Sequence, residues 1–218
     1  KHGLTATFFI ATGFLDGGVM WNDIVIESLR RTQREPLALD DIGLGTQTPG
    51  SPERRDALRR KIIDRVKHES PVRRLELVER IAEQAEIVPP DDLMMRTDEV
   101  RAMSDAGMEI GAHTVTHPIL CKTDAVAAKR EIEESRSVLE AVTGAPVTGF
   151  AYPNGRPGDD YTQRDVDLVR ELGFGYAMST RWDVAERGSD RFALPRVNPW
   201  DATSLRWMLR VIAARAAA

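Results

Sequence analysis

From Thr97 onward the chain repeats one phrase: an amphipathic helical stretch, a glycine, a short apolar run and a polar loop. Thr97 to Ala106 has the helical period, with Thr97 or Asp98 as cap and Gly107 as stop, and Met108 to Ala112 follows as a strand. Asp124 to Val142, with Thr123 as its expected N-cap, is rich in i, i+4 charge pairs and stops at Gly144, ahead of a strand from Val147 to Tyr152. Tyr161 to Leu172 stops at Gly173, ahead of a strand from Phe174 to Ser179. Phe192 to Val197 reads as another strand and Thr203 to Arg215 as a terminal helix. Glycine just past a helix is the residue best suited to the left-handed turn that ends it. Short apolar runs without alternation are strands covered on both faces. This rhythm confines the chain to right-handed βαβ units around a parallel sheet, an α/β fold.

The first hundred residues are less regular. Thr5 to Ala11 reads as a strand buried on both faces, Gly13, Gly17 and Gly18 mark a loop, and a helix runs from about Trp21 to Arg31 with Asn22 or Asp23 as cap. Residues 33 to 52 carry Pro36, Gly43-Leu44-Gly45 and Pro49-Gly50-Ser51-Pro52, a loop composition. Two helices follow, Glu53 to His68 and Ser70 to Ile87, and Pro89-Pro90 ends the second. Residues 33–90 are therefore expected to form a helical insertion within one domain spanning 1–218. Gly3 reads as the stop of a helix lying upstream of Lys1, which predicts a domain that begins before this chain does.

Thirty Lys and Arg against 34 Asp and Glu leave a net charge of −4, which gives no electrostatic footprint for nucleic acid. No apolar run reaches the length of a membrane span. The single cysteine, Cys121, rules out an intrachain disulfide and a multi-cysteine zinc site, and is expected to be a small buried thiol.

The residues with most chemistry to offer are His113 and His117, two of only four histidines, four residues apart in His113-Thr114-Val115-Thr116-His117-Pro118. Spacing alone supports two readings, a metal-ligand pair and a polar loop with two surface histidines. Their placement after a parallel strand favours the first. Sites in such sheets form at the carboxyl ends of strands, where residues 152–155, 179–183 and 196–198 also fall. Pro118 disfavours the α region at His117 and fixes the loop's exit.

Four segments in order, Ala6-Thr7-Phe8-Phe9, His113 to Pro118, Phe150-Ala151-Tyr152-Pro153-Asn154-Gly155 and Leu194-Pro195-Arg196, resemble the polysaccharide deacetylases of carbohydrate esterase family 4. The resemblance implies a distorted (β/α)7 barrel and a divalent metal, most often zinc, held by Asp-His-His. It also implies hydrolysis of acetyl groups on an acetylated glycan. By motif, His113 and His117 match the metal-binding histidines, and Thr114 matches the small hydroxyl residue that supports their loop. The family's Asp ligand and neighbouring Asp general base would both precede Lys1, so these 218 residues alone are expected to be inactive. Ala151 stands where many members carry an Arg, and no histidine follows His117 to match the family's general acid. Asn154 is the candidate for the backbone N–H that meets the oxyanion, and Arg196 either stabilises that oxyanion, orients a carboxylate or forms a structural ion pair. Tyr152, Pro153, Trp182 and Trp200 are candidate sugar contacts, although an aromatic ring in such a place is more often packed against the core. A relative that keeps the fold without the chemistry, serving as a carbohydrate-binding or scaffold domain, is the alternative reading.

Overall fold

The computed structural model describes residues 3–199, 201 and 203–217. In chain order its elements are β1 (Thr7–Ile10), α1 (Trp21–Arg31), β2 (Leu37–Leu39), β3 (Gly45–Gln47), α2 (Pro52–Val66), α3 (Pro71–Gln84) and α4 (Thr97–Asp105). There follow β4 (Glu109–Ala112), α5 (Ala125–Thr143), β5 (Gly149–Ala151), α6 (Gln163–Glu171), β6 (Tyr176–Met178) and α7 (Ser204–Ala217). The chain divides into two compact units, one formed by Lys1–Leu15 with Arg96–Ala218 and one by Asp16–Met95. Among the described residues no helix is long and apolar enough to cross a membrane.

The first unit is the α/β part. Its sheet is parallel, in the order β1-β4-β5-β6, with Thr7 opposite Glu109, Ala112 opposite Phe150 and Gly149 opposite Tyr176. Successive strands lie side by side, each joined to the next by a helix-bearing crossover, as the repeating sequence phrase requires. The predicted strand at Phe192 to Val197 shrinks to a single parallel bridge, Met178 with Leu194. Pro195 removes a donor from the ladder there, and Arg196 N–H turns to Arg181 O instead. Strand β5 is fully covered, whereas β1, at the sheet edge, leaves Phe8 37% exposed, so the expectation of burial on both faces holds for the centre and fails at the edge. Helix α5 lays Ala128, Ile132, Ser135 and Leu139 inward and packs on β4, α4 and α6. Its cap is Asp124, not Thr123. The Asp124 carboxylate accepts from Val126 N–H and Ala127 N–H at 3.0 and 2.9 Å, and the Thr123 hydroxyl donates to Ile119 O.

The second unit is mainly helical. Its core is Val25, Leu29, Ile62, Val66, Leu77 and Val78 with their neighbours, brought together as α1 packs on α2 and α3. Prolines at the first helical positions of α2 and α3 suit the fixed φ of a helix start. The unit is longer than 33–90 because α1 belongs to it, with Trp21 against its core under the Arg74 guanidinium. Its ends meet where Asp16 N–H donates to Met95 O. Residues 33–52, read as loop, contain the antiparallel pair β2–β3, with Leu37 and Leu39 buried.

Candidate active site

In the α/β unit, loops leave the carboxyl ends of adjacent parallel strands, 113–118 after β4 and 152–155 after β5. This is where such sheets collect functional groups. His113 is the first residue past β4, and its N–H still donates to Ile10 O at 3.1 Å. Its Nδ1 lies 2.7 Å from Ala151 O at the end of β5. A carbonyl only accepts, so Nδ1 carries the proton and the Nε2 lone pair is left for an electrophile. Burial lowers the pKa of His113 to about 4, with His117 and then the Arg196 charge adding to the shift and the Ala151 carbonyl opposing it. The ring is therefore neutral near pH 7, the state a metal ligand requires. The His117 ring stands edge-on to it, centroids 4.8 Å apart and planes at 75°.

Two residues of this turn have left-handed backbones, Thr114 at φ 65° and His117 at φ 55°. For a β-branched residue this is a strained conformation, of a kind costing about 1–3 kcal/mol and concentrated at functional sites. Specific contacts hold it. The buried Thr114 hydroxyl donates to His113 O and accepts from His117 N–H at 3.1 Å, the supporting role expected of it. From the β1 side, Thr12 N–H donates to Thr114 O at 3.1 Å and Gly13 N–H to Val115 O at 2.9 Å. A side chain at position 13 would place its Cβ 2.7 Å from Val115 O, so only glycine allows that approach. From α5, Glu131 accepts three hydrogen bonds from Val115 and Thr116.

The loop after β5 is built in a similar way. Asn154 is left-handed at φ 58° and exposed, and its carbonyl accepts from the Thr180 hydroxyl at 2.6 Å. Thr180 N–H donates to Gly155 O at 2.8 Å, and a Cβ on Gly155 would meet Thr180 N at 2.9 Å. Arg196 is half-buried, its Nε donating to Ser179 O at 2.8 Å, and burial lowers its pKa. No carboxylate pairs with it among the described residues, and its charge is felt at His113.

Two of the four candidate sugar contacts, Tyr152 and Pro153, lie in the interior. Tyr152 is fully buried, its ring stacked on Tyr161 at 3.8 Å and edge-on to Phe150, and its hydroxyl donates to Phe192 O at 2.8 Å. Both polar and apolar surfaces of that ring are consumed by the interior, which leaves none for a glycan. Pro153 is buried as well. Trp182 is half-buried with the Arg210 guanidinium 3.7 Å from its ring centroid, so one face is covered. Trp200 lies outside the described residues. Cys121 is half-buried rather than buried, with Sγ 2.9 Å from Asp159 O. Glu131 escapes a reading of the sequence because it looks like one more charge on a charged helix.

Among the described residues no group of three or more His, Cys, Asp or Glu side chains is gathered as a metal cluster. The histidine pair still suits a metal in donor chemistry, His113 being neutral and already oriented by a carbonyl.

The profile of the polysaccharide deacetylase family matches residues 67–177, about half of the chain. The chain belongs to the polysaccharide deacetylase family. Its α/β architecture with parallel strands is the fold of that family, whose members act on acetylated polysaccharides and are generally metal-dependent. A Streptococcus pyogenes deacetylase solved with acetate is 21% identical at a TM-score of 0.49, over 54% of this chain and 50% of that one. A polysaccharide deacetylase of Bacillus cereus is 24% identical at a TM-score of 0.47, over 54% and 37%. A pseudoenzyme of the same esterase family from Bacillus anthracis is 24% identical at a TM-score of 0.35, over 40% and 30%. The chain thus spans half or less of the length of these structures. No curated protein matches it.

Proposed function

We propose that this polysaccharide deacetylase relative contributes the histidine ligands of a metal-dependent hydrolase that removes acetyl groups from an N-acetylated polysaccharide. The observation that carries the reading is the His113–His117 pair at the end of β4, with His113 Nδ1 committed to Ala151 O. A divalent metal, zinc by the preference of imidazole, supplies Lewis acidity and a bound water acidified to a pKa of about 7. His113, through Nε2, and His117 would hold the ion. The backbone N–H of Asn154 donates to the oxyanion that develops on the acetyl carbonyl. Arg196 adds positive charge within reach of His113, its guanidinium anchored by Ser179 O. The remaining ligand and the general base are carboxylates outside the described cluster, in line with the family resemblance.

A second reading has its own support: Ala151 occupies the place of the family's Arg, and no histidine follows His117. It makes the protein a carbohydrate-binding relative without turnover. Zinc calorimetry and acetate release from N-acetylglucosamine oligomers decide between them, run on the natural full-length protein. The hydrolase reading expects zinc-dependent acetate release that His113→Ala or His117→Ala abolishes, with zinc affinity falling at least tenfold. Zinc binding indifferent to both substitutions would sink it. Glycan binding without acetate release would establish the second reading.

A further inference from the structure

Glu131 has a geometry that its place in a charged helix does not explain. It lies on α5 beside the inward-facing Ile132, on an element packed against β4, whose cap Asp124 anchors the helix start. One carboxylate oxygen, Oε2, accepts from both Val115 N–H and Thr116 N–H at 2.8 Å, and the other, Oε1, accepts from the Thr116 hydroxyl at 2.7 Å. Consecutive amides converging on one anion form a nest, a concave backbone arrangement that follows from the left-handed residue before them. That residue is Thr114, at φ 65°. A β-branched residue does not adopt this backbone unaided, and the carboxylate rewards the one conformation in which both amides converge.

We propose that Glu131 is a positioning residue for the histidine pair, its carboxylate holding the 114–117 turn in the shape that sets the His117 ring edge-on to His113. The inference rests on the proposed metal site for its functional meaning and on the hydrogen bonds alone for its structural content. Two consequences follow from the chemistry. An alanine at 131 removes every acceptor and releases the turn. A glutamine retains one oxygen for the two amides, and its NH2 donates to the Thr116 hydroxyl, which then reverses its own role. Glutamine should therefore rescue what alanine loses, although it carries no charge.

The test compares Glu131→Ala, Glu131→Gln and the unsubstituted full chain, first without metal. Ring nitrogen NMR reports the tautomer and environment of His113 and His117, and hydrogen exchange reports the Val115 and Thr116 amides. Expected are shifted His117 ring signals and loss of amide protection in Glu131→Ala, with far-UV circular dichroism unchanged and both signals restored in Glu131→Gln. Ring signals and protection unaltered in Glu131→Ala would overturn the proposal. Zinc titration of the same three proteins separates it from the metal reading. A drop of about 10–100-fold in affinity for the alanine variant, recovered by glutamine, is the expected outcome for an outer-shell partner. If none binds zinc while the rings shift as stated, the metal assignment fails and the positioning role stands. If all bind zinc equally, the positioning role fails and the metal assignment stands.

Discussion

The helical unit Asp16–Met95 and the turn 113–118 are held by opposite kinds of physics. The unit rests on burial of Ile62, Val66, Val78, Val25 and their neighbours, contacts that are non-directional and replaceable by side chains of similar volume. The turn rests on Thr114, Gly13 and Glu131, each supplying a directional contact that a residue of like size does not reproduce. A hydrophobic core tolerates change in identity and punishes lost volume. A strained polar turn tolerates little change in identity, even where volume is kept.

The largest effect should come from the core. Ile62 is fully buried on α2, and Ile62→Ala should cost about 2–5 kcal/mol, read from the midpoint of chemical denaturation. Zinc affinity measured well below that midpoint should not move. A zinc affinity that fell with Ile62→Ala would break the comparison. Next is Gly13→Ala, which sets a Cβ 2.7 Å from Val115 O and forces one of two hydrogen-bonded backbones to shift, at about 1–3 kcal/mol. Unlike the core substitution, it should also weaken zinc binding, because Val115 lies between the two histidines. Calorimetry and denaturation of the same preparation check both halves.

What could be read in advance follows the same division. The α/β class was legible because Gly107, Gly144 and Gly173 punctuate helix from strand, and each does stand in the left-handed turn that ends a helix. The histidine pair was legible because spacing and strand-end position are local properties. The β2–β3 pair was not, since strands of three residues are too short to display alternation, and Gly43 and Gly45 look like any loop. For Tyr152 the choice between glycan and core was not legible, because its partner Tyr161 lies beyond a turn and a strand-end aromatic looks the same whether its ring faces a ligand or the interior. Glu131 was invisible for a different reason. Its three bonds reach back 15 and 16 residues to a turn whose shape contradicts the propensity of Thr114, so no local rule points to it. Directional long-range contacts are what sequence patterns carry least.

Smaller effects sharpen the contrast within α5 itself. Asp124→Ala removes the acceptor for two orphan amides and should cost about 1 kcal/mol, without changing zinc affinity beyond what lost stability explains. The smallest effect is expected beside the clamp, at Arg130. Its Nε contacts Glu134 at 2.6 Å one helical turn away, and both side chains are largely in solvent. An exposed pair of this kind gains little, because water screens it and two long side chains must be ordered to form it. Arg130→Ala should leave the denaturation midpoint where it was, and raising salt should change nothing further. Its neighbour Glu131, one residue on and of the same charged type, should disturb the His117 ring when truncated. If truncating Arg130 disturbed that ring as much as truncating Glu131, the clamp would be a general property of the charged face. The distinction drawn from three directional hydrogen bonds would then have no content.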